Sequence, residues 1–230
     1  MITLNAGEIR IVASDDGINV AGGNDASGLG LGMRPAGRPG MGGGPGQDAF
    51  VYSGDYYLYI NGGYIVVEAA GDGLDVNGAI EMTGGVVLVN GPTENMNGAL
   101  DYDGGFKLTG GYLVAAGSAG MAQAPDASSS QLSLLINFNA PQPAGALIHI
   151  QDSAGAEILT FAPTKQYQSI AFSSPELQTG ATYTVFLGGS STGTLSDSRY
   201  QGGAYTPGAE YASFTASSIV TQLGAGGQRR

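Results

Sequence analysis

The chain contains no cysteine and no tryptophan, and His149 is its single histidine. A disulfide framework and a Cys-ligated zinc or iron–sulfur centre are therefore excluded. Charge is scarce as well: Asp, Glu, Lys and Arg make up 12% of the 230 residues, about half the ~25% usual in soluble domains. Positive charge is the scarcer sign, with eight bases against nineteen acids and a formal net charge of −11. No apolar run approaches the roughly 18 residues that a membrane-spanning helix needs. Met1-Ile2-Thr3-Leu4-Asn5 has neither the basic start nor the apolar stretch of a secretory signal.

Glycine stands where these residues are missing. The 41 Gly and 10 Pro interrupt helices often enough to exclude a helical bundle or a coiled coil. No Gly-X-Y period suggests collagen, and an apolar content of 42% is too high for a wholly disordered chain. An all-β fold is the class that remains. Residues 1–126 hold fourteen acids against Arg10, Arg34, Arg38 and Lys107, a net of −10, while residues 127–230 carry a net of −1. The acidic half repels phosphate backbones and attracts cations, which argues against a nucleic-acid partner. The change in charge also suggests a boundary near residue 126.

Four segments align on a small-residue turn: Ile2–Gly7, Leu58–Gly63, Ile80–Gly85 and Phe106–Gly111. Each turn is followed by a second apolar run, and three of the four by a third short one at Ile18-Asn19-Val20, Leu74-Asp75-Val76 and Leu100-Asp101-Tyr102. The last Gly of the turn recurs at intervals of 56, 22 and 26. The two short intervals suit a parallel β-helix with three short strands per turn. The long one holds an inserted Gly/Pro-rich loop at 28–46, with nine Gly and three Pro, which reads either as a flexible excursion or as a lid over a binding groove with Arg34 and Arg38 available to an anionic ligand. Residues 225–230 read as a flexible tail. Alternation puts Ile2, Leu58, Ile80 and Phe106 in the core and leaves Thr3, Tyr59, Glu81 and Lys107 as an outward column. Residues 127–224 change to six short strand-like runs between Leu132 and Thr215, separated by Gly, Pro, Ser and Asp. They predict a C-terminal β cap or small antiparallel β unit. The first strand begins at residue 2 with nothing before it, which suggests a longer parent with N-terminal turns.

The acids gather at one corner of this repeat. Ser14–Asn19, Ala70–Asp75 and Asn97–Asp103 align so that Asn19, Asp75 and Asp101 form one column and Asp16 and Asp72 another. Two carboxylates about 5 Å apart repel by about 3 kcal/mol at an effective dielectric near 20, so one is protonated or a cation sits between them. Oxygen donors with no His or Cys beside them select a hard ion, calcium before magnesium. The competing reading is that Asp and Asn serve only as turn formers. His149, within the apolar run 146–150, reads as a strand residue rather than a general base, and no nucleophile elbow or phosphate loop occurs. Tyr supplies twelve of nineteen aromatic residues. Tyr59 beside Glu81 and Lys107 would offer a sugar ring a flat face with polar neighbours; the competing reading is an ordinary strand tyrosine with an exposed hydroxyl.

The runs SDDGINVAGGNDAS (14–27), YYLYINGGYIVVEAAGDGLDVNG (56–78), MTGGVVLVNGPTENMNGALDYDGGF (82–106) and ILTFAPTKQYQSIAFSSPEL (158–177) resemble a family of bacterial carbohydrate-binding domain proteins. Members of that family are secreted or cell-surface right-handed parallel β-helices similar to pectate lyases. The resemblance extends over nearly the whole chain. It implies calcium-dependent, non-catalytic binding of plant cell-wall polysaccharide, namely acidic pectic chains, with cellulose as a further candidate. It also implies an extracellular or cell-surface location, with the signal or anchor absent from this chain. Asp15, Asp16, Asp72, Asp75, Asp101 and Asp103 fall in the family's acidic turns and are carried over as calcium ligands; Tyr59, Glu81 and Lys107 are the candidate sugar contacts. A calcium-dependent pectate-lyase-like polysaccharide lyase is the enzymatic alternative; it needs a basic residue to remove the proton beside a uronate carboxyl group. A structural or adhesive surface module is the third reading.

Overall fold

The computed structural model describes residues 1–20 and 54–224. The Gly/Pro-rich loop at 28–46 with Arg34 and Arg38, and the tail 225–230, lie outside the described residues. Among the described residues every regular element is a β-strand and no helix occurs, in agreement with the all-β expectation.

The first half visits three sheets in turn. β1 (Ile2–Leu4), β2 (Glu8–Ala13) and β3 (Ile18–Asn19) form the first three-strand unit. β4 (Tyr57–Ile60), β5 (Tyr64–Ala69) and β6 (Leu74–Val76) form the second, and β7 (Ala79–Met82), β8 (Val86–Asn90) and β9 (Leu100–Tyr102) the third. β10 (Gly105–Leu108) and β11 (Tyr112–Gly117) follow. β1-β4-β7-β10 make the first sheet and β3-β6-β9 a three-stranded one, both parallel throughout. β2-β5-β8-β11 run parallel within the second sheet. Register follows the repeat: Ile2 pairs with Leu58, Leu58 with Ile80 and Ile80 with Phe106. The third interval is longer because residues 91–99 lengthen the passage from β8 to β9.

The turn between the first and second sheets explains its glycines. Gly7, Gly63, Gly85 and Gly111 have φ of +97°, +95°, +87° and +103°, a conformation that a side chain makes unfavourable. One residue earlier, a Cβ on Gly62, Gly84 or Gly110 would lie 2.5, 2.8 and 2.5 Å from a carbonyl oxygen of the preceding unit. Two residues before Gly7, Gly63 and Gly85, polar side chains run along the stack: Asn61 Nδ2 donates to Asn5 Oδ1 at 2.8 Å, and Thr83 Oγ1 donates to Asn61 Oδ1 at 3.1 Å.

The second half continues with β12 (Ser133–Gln142), β13 (Ile148–Asp152), β14 (Glu157–Phe161), β15 (Tyr167–Ser173) and β16 (Thr182–Leu187). The short strands β17 (Ser190–Ser191), β18 (Thr194–Ser196), β19 (Arg199–Gln201) and β20 (Tyr205–Thr206) follow, then β21 (Ala209–Thr215) and β22 (Val220–Leu223). β15 pairs antiparallel with β11 and so prolongs the second sheet to the order β2-β5-β8-β11-β15-β12-β22. A six-stranded sheet, β18-β19-β14-β13-β16-β21, covers its outer face. The second sheet is therefore a wall shared by two cores. Its inward residues Ile65, Val67, Val87, Val89, Leu113, Ala115, Leu135 and Ala171 belong to the core that it shares with the first sheet and the three-stranded one. Its outward residues Leu88, Tyr112, Val114, Ile136, Ile170 and Phe172 pack against Ile148, Ile150, Phe161 and Val185 of the six-stranded sheet. A strand buried on both faces reads as a continuous apolar run instead of an alternating one, and β11, YLVAAG, is buried at every position.

Candidate functional site

The acidic corner follows from the register. Asn19 pairs with Asp75 and Asp75 with Asp101 on β3, β6 and β9, which stacks these three side chains at the ~4.8 Å spacing of neighbouring strands. Asp16 and Asp72 occupy equivalent turns just before β3 and β6. Asp16 Oδ1 accepts the Asp72 N–H at 2.8 Å, and Asp72 Oδ1 accepts the N–H of Gly98 in the next unit. Asn19 joins the two columns: its Nδ2 donates to Asp16 Oδ2 at 3.0 Å and to Asp75 Oδ2 at 2.9 Å.

Burial sets the electrostatics. Asp75 is only 8% exposed. Burial, opposed by the Gly98 N–H and reinforced by the charges of Asp101, Asp16 and Asp75, raises the Asp72 carboxyl to about 8. Burial, with the charges of Asp103 and Asp16, raises Asp101 to about 6. Burial also raises Asp103, although less. The corner thus holds carboxyl groups that take up protons near neutral pH.

Of the six acids singled out from the sequence, Asp16, Asp72, Asp75 and Asp101 come together, and Asp103 adjoins them through Asp101. Asp15 enters the corner by its backbone, its carbonyl accepting the Gly71 N–H at 3.0 Å. The donor set is oxygen-only, which suits calcium. Among the described residues, no group of three or more His, Cys, Asp or Glu side chains is gathered for a metal ion.

Tyr59, Glu81 and Lys107 lie elsewhere. They are register partners with Thr3 along the outer face of the first sheet. Tyr59 is half-buried and Lys107 exposed, and the Tyr57 and Tyr59 rings are parallel within 10° at 5.7 Å. A ligand touching both sets must pass around the short Asn77–Gly78 turn between β6 and β7. His149 is 2% exposed. Its Nδ1 lies 2.7 Å from Thr160 Oγ1, and its ring stacks on Tyr205 at 3.8 Å.

Three features escaped the sequence. The ladder of Asn5, Asn61 and Thr83 was present in the aligned turns but not in any one of them. Pro92 occupies the position whose N–H would bond the Ala69 carbonyl, by analogy with Ala70 N–H to Ala13 O one unit earlier; the Lys165 ammonium donates to Ala69 O instead. Arg10 and Tyr64 hold Asp197, which is 187 residues from Arg10. No family model, curated protein or solved structure matches the chain, and no helix among the described residues is long and apolar enough to cross a membrane.

Proposed function

We propose that the protein is a non-catalytic, calcium-dependent binder of acidic plant cell-wall polysaccharide at the bacterial cell surface, built on a right-handed parallel β-helix. The handedness follows the rule that parallel strands of one sheet joined by crossovers wind right-handed in nearly all cases. The observation that carries the functional reading is the stacking of carboxylates in two adjacent columns, Asp75 buried and Asp72 raised to about 8. Asp16, Asp72, Asp75 and Asp101 are the residues that would hold calcium, with Asp103 and the Asp15 turn beside them. A bound calcium ion supplies positive charge that neutralises these carboxylates and attracts a uronate. Asn19 keeps the two columns in line through its paired donations to Asp16 and Asp75. Tyr59, with Glu81 and Lys107, presents the sugar-facing column of the first sheet.

A structural module is the second reading, and one observation favours it: Asp16 and Asp72 each cap a backbone N–H of the following unit, which is a complete role for a turn aspartate. Retention of the protein on polygalacturonate gel, first with calcium and then with chelator, separates the two. Retention lost in chelator is the expected result. A calcium-induced rise in melting temperature with no retention would leave the structural module standing and refute polysaccharide binding.

A further inference from the structure

The outer face of the second sheet carries a second set of converging groups. Arg10 and Glu8 alternate on β2, so both point outward, and Glu8 Oε1 holds Arg10 Nε at 2.8 Å. That contact engages Nε and leaves Nη1 and Nη2 for a second partner. Both nitrogens donate to the Asp197 carboxylate, Nη1 to Oδ1 and Nη2 to Oδ2 at 3.0 Å. Tyr64, the register partner of Glu8 one unit on, donates its hydroxyl to the same Oδ2 at 2.9 Å. The Tyr64 ring also lies beneath the guanidinium, 6.0 Å from it. A two-pronged Arg contact with a third donor alongside is the arrangement that recognises a carboxylate as a shape as well as a charge.

The carboxylate in this cradle is presented under strain. Asp197 and Ser198 form the two-residue loop between β18 and β19, with φ of +49° and +69°. Such a loop favours Asn-Gly or Asp-Gly, and two successive non-glycine residues in this region mark a conformation that surrounding contacts impose. Those contacts fall on the units in sequence: Asp197 reaches Arg10 and Tyr64, Ser198 Oγ accepts from Asn90 Nδ2 at 3.1 Å, and Arg199 lies 3.9 Å over the Tyr112 ring. The outer strand of this hairpin is weakly held, since β18 is exposed at every position. The inner side is held to the β14 end by the pair Phe161 and Arg199 and by the Ala162 N–H, which donates to the Ser198 carbonyl at 2.7 Å. The Arg10 side chain remains 51% exposed although Asp197 is 14% exposed, so the guanidinium can be reached from solvent.

We infer that Arg10 and Tyr64 form a carboxylate-binding subsite for acidic sugars, which Asp197 occupies as an internal substitute for the ligand. The choice of an acidic sugar rests on the proposed function; recognition of a carboxylate rests on the geometry alone. Asp197 is tethered at an effective concentration on the order of millimolar or higher, so it masks the subsite from free ligand. Withdrawal of Asp197 leaves Ser198 and Arg199 in place and exposes the three donors.

The test is titration calorimetry of the full chain with a galacturonate trisaccharide in chelator, where the acidic corner has no calcium. Asp197→Gly removes the carboxylate and relaxes the positive φ. It should bind at least about tenfold tighter than the wild type. Asp197→Asn, which retains the side-chain volume and tolerates the same backbone, should behave in the same direction. The gain should vanish with Arg10→Met added, and with the fully methyl-esterified trisaccharide. Folded Asp197→Gly and Asp197→Asn proteins that bind no tighter than the wild type would overturn the inference, as would a gain that survives Arg10→Met. Failure of calcium-dependent retention on polygalacturonate leaves this result unaffected, so the two readings fail separately.

Discussion

Replacing Asp72 with asparagine isolates the charge of the acidic corner from its hydrogen bond. Asparagine retains an oxygen for the Gly98 N–H and cannot ionise. In the wild type, Asp72 titrates at about 8 in the folded chain against an ordinary 3.8. Between these values the unfolded chain holds fewer protons than the folded one, so the unfolding free energy falls as pH rises from about 4 to about 8. Asp101, raised to about 6, adds to the fall between about 4 and about 6. Four pKa units at about 1.4 kcal/mol each give a ceiling near 6 kcal/mol for Asp72. Its partial exposure and solvent screening reduce this to about 2 kcal/mol, or roughly 4–8 °C in melting temperature for a chain of this size. Urea unfolding in chelator at about pH 5 and about pH 9 measures it. The wild type should lose about 2 kcal/mol more than Asp72→Asn between the two pH values, and calcium should restore the wild type alone at the higher one. Equal losses in the two proteins would refute the claim that Asp72 carries an uncompensated charge.

Two further substitutions test the packing around the site. Gly110→Ala places a methyl group 2.5 Å from the Thr83 carbonyl oxygen and should destabilise by about 2–3 kcal/mol. Ala6→Gly, at the equivalent position of the first unit, should change stability by less than about 1 kcal/mol; equal effects on thermal unfolding would contradict the stacking argument. Lys165→Met leaves the Ala69 carbonyl without the donor that replaces the missing N–H of Pro92. A loss of about 1–3 kcal/mol in urea unfolding is expected, and an unchanged midpoint would show that water serves as well.

The parallel half of the fold was legible because its signals are local and repeated. Ile2, Leu58, Ile80 and Phe106 sit at the same step of an alternating pattern, and the turn glycines mark the register without reference to any distant residue. The same spacing placed Asp75 over Asp101 and Asp16 over Asp72. The shared wall was not legible. β11 and β15 are separated by the chain from residue 118 to residue 166, and neither Leu113 nor Ser173 carries a mark of the other. The short strands β17 to β20 were missed because Ser190–Ser191 and Thr194–Ser196 have the composition of a loop and are strands only through their partners. The Arg10–Asp197 contact was hidden for the same reason: a charge pair formed between the ends of the chain has no period to betray it.

The second sheet has one further effect. Because β8 and β11 close one core with their odd-facing residues and the other with their even-facing ones, neither half can come apart without stripping a wall from its neighbour. A chain that changes from repeated parallel units to an antiparallel sandwich would ordinarily lose its halves one at a time. Here the common strands tie the two transitions together, so damage in the sandwich is felt by the acidic turns and damage in the repeats by the hairpin carrying Asp197.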